Sequence, residues 1–115
     1  MDDCVFCKII DGKIPSTLVR EDDLTYAFRD INPAAPVHVL VVPRAHFPDV
    51  SVGITEHPEL VGAVIAAAYE VAKAEGVGDG WRLVMNTGER SGQTVFHCHA
   101  HVLGYPPGQQ PPAHL

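Results

Sequence analysis

Between Pro58 and Glu75, apolar side chains recur at steps of three and four: Leu60, Val61, Val64, Ile65, Ala68, Val71 and Ala72. This period places them on one stripe and predicts a long amphipathic helix. Thr55 can cap its start, Pro58 and Glu59 suit its first turn, and Gly76 can end it. Elsewhere the pattern favours strands. Val37 to Val42 is an apolar, β-branched run held between Pro36 and Pro43, which predicts a buried strand. Thr17 to Glu21 and Leu24 to Arg29 predict two short strands joined at Asp22-Asp23, Trp81 to Asn86 predicts a fourth, and Val95 to Leu103 the last. Phe6 to Ile10 predicts one short helical turn closed by Asp11-Gly12. Asn32-Pro33 and Ala35-Pro36 break the chain, Pro43 to Asp49 forms a loop carrying His46, and Thr87 to Gln93 is rich in turn residues. The segment from Gly104 onward, dense in Pro and Gly, predicts an irregular tail. Five strands with one long and one short helix predict an α+β fold on an antiparallel sheet. The pattern does not give the strand order.

The 115 residues suit one domain spanning 1–115. Hydrophobic residues make up 46% and charged residues 19%, a balance that favours a packed core over disorder. No apolar run is long enough to span a bilayer. Met1-Asp2-Asp3 is acidic where a secretory leader would be basic, so the expected setting is soluble and cytoplasmic. With a formal net charge of −6 and its eight Lys and Arg scattered, the chain is a poor candidate for binding a long polyanion such as nucleic acid. A small anion remains possible through local N–H and hydroxyl donors. Three unevenly placed cysteines fit free thiols or a metal site better than a disulfide framework.

The chemistry concentrates in His97-Cys98-His99-Ala100-His101. Residues two apart on a strand point to the same face, so the three imidazoles would line one side. Phe96, Cys98, Ala100 and Val102 would face the other way, and small Cys98 and Ala100 would let the long helix pack close. Three such histidines could be plain surface residues or a transition-metal site. The preceding Ser91-Gly92-Gln93-Thr94 favours a phosphate instead, because it supplies a flexible loop, an amide and a hydroxyl.

Gly92 to Leu103 resembles the signature of the histidine-triad (HIT) proteins, His-x-His-x-His with apolar residues between. Cys4-Val5-Phe6-Cys7-Lys8-Ile9-Ile10 with Ile14-Pro15 resembles the amino-terminal segment of the Hint-like branch, in its bacterial Cys-x-x-Cys form. Phe28 to Pro33 and Pro36 to Pro43 resemble its middle, so the similarity runs through nearly the whole chain in order.

The resemblance implies a nucleotide hydrolase or transferase working through a nucleotidyl-histidine. His99 would be the nucleophile, with His101 beside the phosphate and His38 near the catalytic ring. A neutral imidazole suits attack near pH 7. Phe6, Ile9, Phe28, Ile31 and Val95 would bound the nucleoside, Asp30 would accept from the ribose, and Asn86, Gln93 and Thr94 would lie near ribose, phosphate and leaving group. Read from the residues alone, the apolar members of that set are ordinary core candidates, and Asp30 a turn or cap residue. The family also implies a structural zinc on Cys4, Cys7, His46 and His97, with no metal needed for the chemistry. It further implies a homodimer whose sheets join into ten strands.

The leading activity on this basis is a purine nucleoside phosphoramidase acting on substrates such as AMP-NH₂ or AMP-lysine. The alternatives are a dinucleoside polyphosphate hydrolase and a nucleotide- or partner-binding module with little catalysis. Hint-like tails often carry a tryptophan; here the tail holds Tyr105 and His114 but no tryptophan, which leaves the leaving-group preference open.

Overall fold

The computed structural model describes residues 3–112. His114, a possible tail contact on sequence grounds, lies outside them. Helix α1 is Val5–Ile10, followed by strands β1 (Leu18–Glu21), β2 (Thr25–Arg29) and β3 (Val37–Pro43). Helices α2 (Val50–Glu56) and α3 (Pro58–Ala74) come next, then β4 (Trp81–Val84), a 3₁₀ turn at Glu89–Ser91, and β5 (Ala100–Gly104). The strands form one antiparallel sheet in the order β1-β2-β3-β5-β4. The β1–β2 turn is closed by Asp22, whose carboxylate accepts the amide protons of Leu24 and Thr25 at 2.9 and 2.7 Å.

Strand β3 is central and buried on both faces, which explains why its sequence is almost continuously apolar. Val39 and Val41 face α3 and pack with Val64, Ala68, Val71, Ala72, Ala100 and Val102. Leu40 and Val42 face the other way, against Phe6, Ile9 and Phe28. The sheet thus has a core under α3 and a second apolar layer under α1, and the functional groups collect at the edge of that second layer.

Three sequence expectations change. Thr55 does not cap the long helix; it lies inside α2, a helix the apolar period did not predict, and its hydroxyl donates to the Ser51 carbonyl at 2.8 Å. Asp49 caps α2 by accepting the Val52 amide proton at 2.9 Å, while His57 occupies the N-cap position of α3 with no side-chain capping bond. Ile65, assigned to the buried stripe, is exposed. The last strand begins at Ala100 rather than Val95. Residues 95–99 do not join β3, because the Cys98 amide donates instead to the Phe47 carbonyl at 2.7 Å. No helix among the described residues is long and apolar enough to cross a membrane.

Candidate active site and metal-ligating cluster

The three histidines do not act as one row. His97 is fully buried and turns toward the thiols, whereas His99 and His101 line a cavity of about 320 Å³, within the about 300–1,000 Å³ typical of small-molecule sites. One end of that cavity is apolar, built from Phe6, Ile9, Ile14, Phe28 and Leu40. Phe6 stands edge-on to His99 at 5.1 Å and to Phe28 at 5.4 Å, so α1 supplies the wall between base-sized space and imidazole. Asp30, Ile31, Thr94 and Val95 complete the rim, with Ile31 90% exposed at its lip. The intervening Cys98 packs with Phe47 and Val61, and Ala100 and Val102 pack under α3. Phe96 breaks the expected alternation and is 48% exposed.

Hydrogen-bond partners assign each ring its tautomer, because a neutral imidazole carries one N–H and one lone pair. His99 Nδ1 lies 2.7 Å from the His97 carbonyl oxygen, which can only accept, so the proton sits on Nδ1. The His99 Nε2 lone pair is left free, with no bonding partner among the described residues. His101 is arranged the opposite way. The Ala34 amide donates to His38 Nδ1 at 3.0 Å, so His38 carries its proton on Nε2. That N–H reaches His101 Nδ1 at 2.9 Å, which must accept, leaving His101 with Nε2–H. The sheet register makes the meeting possible: Leu40 faces His101 directly, and His38 lies on the diagonal. Two adjacent rings, with centroids 5.1 Å apart, therefore offer a lone pair and a donor. Burial keeps both neutral: it lowers the His99 pKa, and with the neighbouring His99 and His38 it brings His101 down to about 4.

Of the residues expected to touch substrate, Phe6, Ile9, Phe28, Asp30, Ile31, Thr94, Val95, His99 and His101 line this cavity. His38 stands behind His101. Asn86 and Gln93 do not line the cavity. Gln93 is buried, and its amide is spent on main chain: Oε1 accepts from Gly88, and Nε2 donates to the Pro48 and Val95 carbonyls at 2.7 and 3.0 Å. The bond to Val95 holds Gln93 directly behind the Thr94–Val95 wall. Leu40 and Ser16 also line the cavity, beyond the residues expected from the sequence. Leu40 was legible in principle, two residues from His38 and so on the same face of β3.

Cys4, Cys7, His46 and His97 place four ligand atoms within 4.8 Å of one another. Cys4 also caps α1, its sulfur accepting the Cys7 amide proton at 3.3 Å. His97 donates Nε2–H to the Pro43 carbonyl at 2.8 Å, which leaves the Nδ1 lone pair facing the thiols. Burial lowers the His97 pKa to about 4, so it is a neutral ligand at neutral pH. Cys98 is buried away from this cluster, and burial raises its thiol to about 11. Asp30, His38 and His101 also converge within 4.8 Å. There the Ala34 amide occupies His38 Nδ1, which holds the proton on Nε2. A cation at that atom would cost this bond, so the group is a hydrogen-bond chain rather than a ligand set.

An antiparallel five-stranded sheet whose last strand and the residues leading into it bring His99 and His101 to an apolar cavity, and His97 to a thiol cluster, defines the class as a histidine-triad domain. The family model of the HIT domain matches residues 11–107, and the chain belongs to that family. It is 45% identical over 104 residues to the purine nucleoside phosphoramidase of Escherichia coli K12, covering 90% of this chain and 87% of that one. It is 44% identical to a 14 kDa zinc-binding protein of Zea mays, covering 90% of this chain and 87% of the relative. A histidine triad protein structure from Clostridium difficile superposes with a TM-score of 0.90 at 39% identity, covering 100% of this chain and 98% of that one.

Proposed function

We propose that the chain is a purine nucleoside phosphoramidase: it transfers a nucleotidyl group from nitrogen to His99 and then to water. The observation that supports this most directly is the opposed pair of tautomers at the polar end of an apolar cavity. His99 Nε2 attacks the α-phosphorus while its Nδ1–H stays on the His97 carbonyl, which keeps the ring aimed. The P–N bond breaks, and its electron pair leaves with the amine, which takes a proton from water. His101, as a neutral donor, places Nε2–H against the developing charge. Water then attacks the phosphorus, releasing the nucleoside monophosphate and the free imidazole. The E. coli relative's activity and the base-sized apolar end support a purine nucleotide. Turnover of an adenosine phosphoramidate no faster than that of a His99→Ala control would instead favour a binding module.

The thiol–imidazole cluster fits zinc. Zn–S of about 2.3 Å and Zn–N of about 2.0–2.1 Å on a tetrahedron require S···N edges of about 3.5 Å and an N···N edge of about 3.3 Å. The distances are 3.4, 3.5 and 3.6 Å for S···N and 3.1 Å for His46 Nδ1 to His97 Nδ1. Cys4, Cys7, His46 and His97 would hold the ion, which would tie α1 to the chain before the nucleophile. No open coordination site faces the cavity in this assignment, and the chemistry runs without the ion.

The homodimer belongs to the same proposal. β4 is a sheet edge and carries exposed Leu83, so a second copy could extend the sheet there to ten strands. Four basic side chains are already spent on ion pairs, namely Arg20, Arg29, Arg44 and Lys73, which supports a small substrate rather than nucleic acid.

A further inference from the structure

The chain that fixes His101 is contested at one point. His38 Nε2–H has two acceptors: His101 Nδ1 at 2.9 Å and Asp30 Oδ2 at 3.5 Å. Whenever the proton leans to the carboxylate, His101 loses the donor that dictates its tautomer, and its Nε2–H is no longer guaranteed. Asp30 is held in place, because its other oxygen accepts the Asn32 amide proton at 2.8 Å. It also lines the cavity, and its carboxylate lies within 4.8 Å of ring nitrogens of His38 and His101. A nucleoside 5′-phosphate carries its sugar between base and phosphorus, so with the phosphorus at His99 and the base against Phe6 and Phe28 the sugar hydroxyls would come within reach of this carboxylate in the same cavity.

We propose that Asp30 is a positioning residue that couples sugar recognition to the donor state of His101, acting through His38. This rests on the nucleotide assignment above. Ribose hydroxyls donating to Asp30 saturate its Oδ2, which then competes less for the His38 proton. The proton commits to His101 Nδ1, and His101 is locked as the Nε2–H donor the reaction needs. Binding energy from a non-reacting part of the substrate is thereby spent on turnover rather than on affinity alone. The specificity that follows is for nucleotides with free ribose hydroxyls, expressed in kcat.

The test uses the zinc-loaded protein labelled with ¹⁵N-histidine, whose ring nitrogens report tautomers directly. Adenosine and 2′,3′-dideoxyadenosine are titrated separately, with aromatic proton shifts of Phe6 and Phe28 recording occupancy. Both should bind, and only adenosine should move His101 further toward the Nε2–H pattern. In Asp30→Asn the two nucleosides should become equivalent at His101. In turnover of matching phosphoramidates, loss of both hydroxyls should lower kcat about five- to tenfold in wild type, the size of one hydrogen bond, and less than about twofold in Asp30→Asn. Equal His101 shifts with both nucleosides at matched occupancy, or a loss confined to KM, overturns the coupling while leaving the nucleotide assignment standing. Adenosine binding with no binding of the dideoxy analogue likewise overturns the coupling alone, whereas failure of both nucleosides to perturb Phe6 and Phe28 overturns the nucleotide assignment with it.

Discussion

His99 and His101 are the same side chain given different chemistry by what accepts or donates at Nδ1. A carbonyl leaves one with a free Nε2 lone pair, the proposed nucleophile, and an imidazole N–H leaves the other with an Nε2–H to donate. Replacing His101 by Asn should therefore lower kcat by about 100-fold with little change in KM, the cost of one preorganised donor at developing charge; steady-state kinetics on a phosphoramidate measures it. Burial depresses His101 from 6.5 to about 4. Between those values the unfolded chain binds a proton that the folded chain refuses, so stability is full above pH 6.5 and falls as pH drops toward 4. His97 has the same sign. Urea midpoints measured across that window should decline with acidity, and a midpoint rising on acidification would contradict the assigned neutral rings.

At the scale of elements, α1 serves two neighbours at once. Cys4 and Cys7 belong to the thiol cluster, while Phe6 and Ile9, between and beyond them, wall the cavity. Stripping the metal with a strong chelator should lower the thermal midpoint and raise KM for the nucleotide, with about one zinc per chain found beforehand by metal analysis. α2 shows what sequence pattern hides. Val50, Val52, Ile54 and Thr55 are β-branched and helix-poor, so no period announced the helix. It is held by the Asp49 cap and by packing at Gly53, where an added Cβ would sit 2.6 Å from the Phe47 ring and 2.7 Å from Val61. Gly53→Ala should destabilise by about 1–3 kcal/mol in denaturant unfolding. The long helix and the central strand were legible because each carries a strong local pattern, and the histidine segment only from Ala100 onward, since a loop contact at Phe47 draws the preceding residues off the sheet. The sheet order was not, since pairing β3 with β5 joins residues 59 to 67 apart in sequence, from Val41 with Ala100 to Val37 with Gly104. The main-chain partners of Gln93 at Gly88, Pro48 and Val95 leave no mark in the sequence, because they only come together once the loops are folded.

At the scale of the molecule, one sheet separates two jobs: α3 covers the face that supplies stability, and α1 covers the face that supplies the cavity. The proposed dimer adds a second sheet at β4, leaving the α1 side free. Sedimentation equilibrium should give twice the chain mass, and Leu83→Asp should shift it toward monomer; a wild-type monomer would remove the ten-stranded assembly without touching the chemistry. Covalent loading of His99 is the step on which the proposed chemistry depends. Intact-protein mass spectrometry after rapid mixing with an adenosine phosphoramidate should show the added mass of one AMP, absent in His99→Asn. An unmodified wild-type protein that nonetheless releases AMP, or an adduct that survives in His99→Asn, would contradict it.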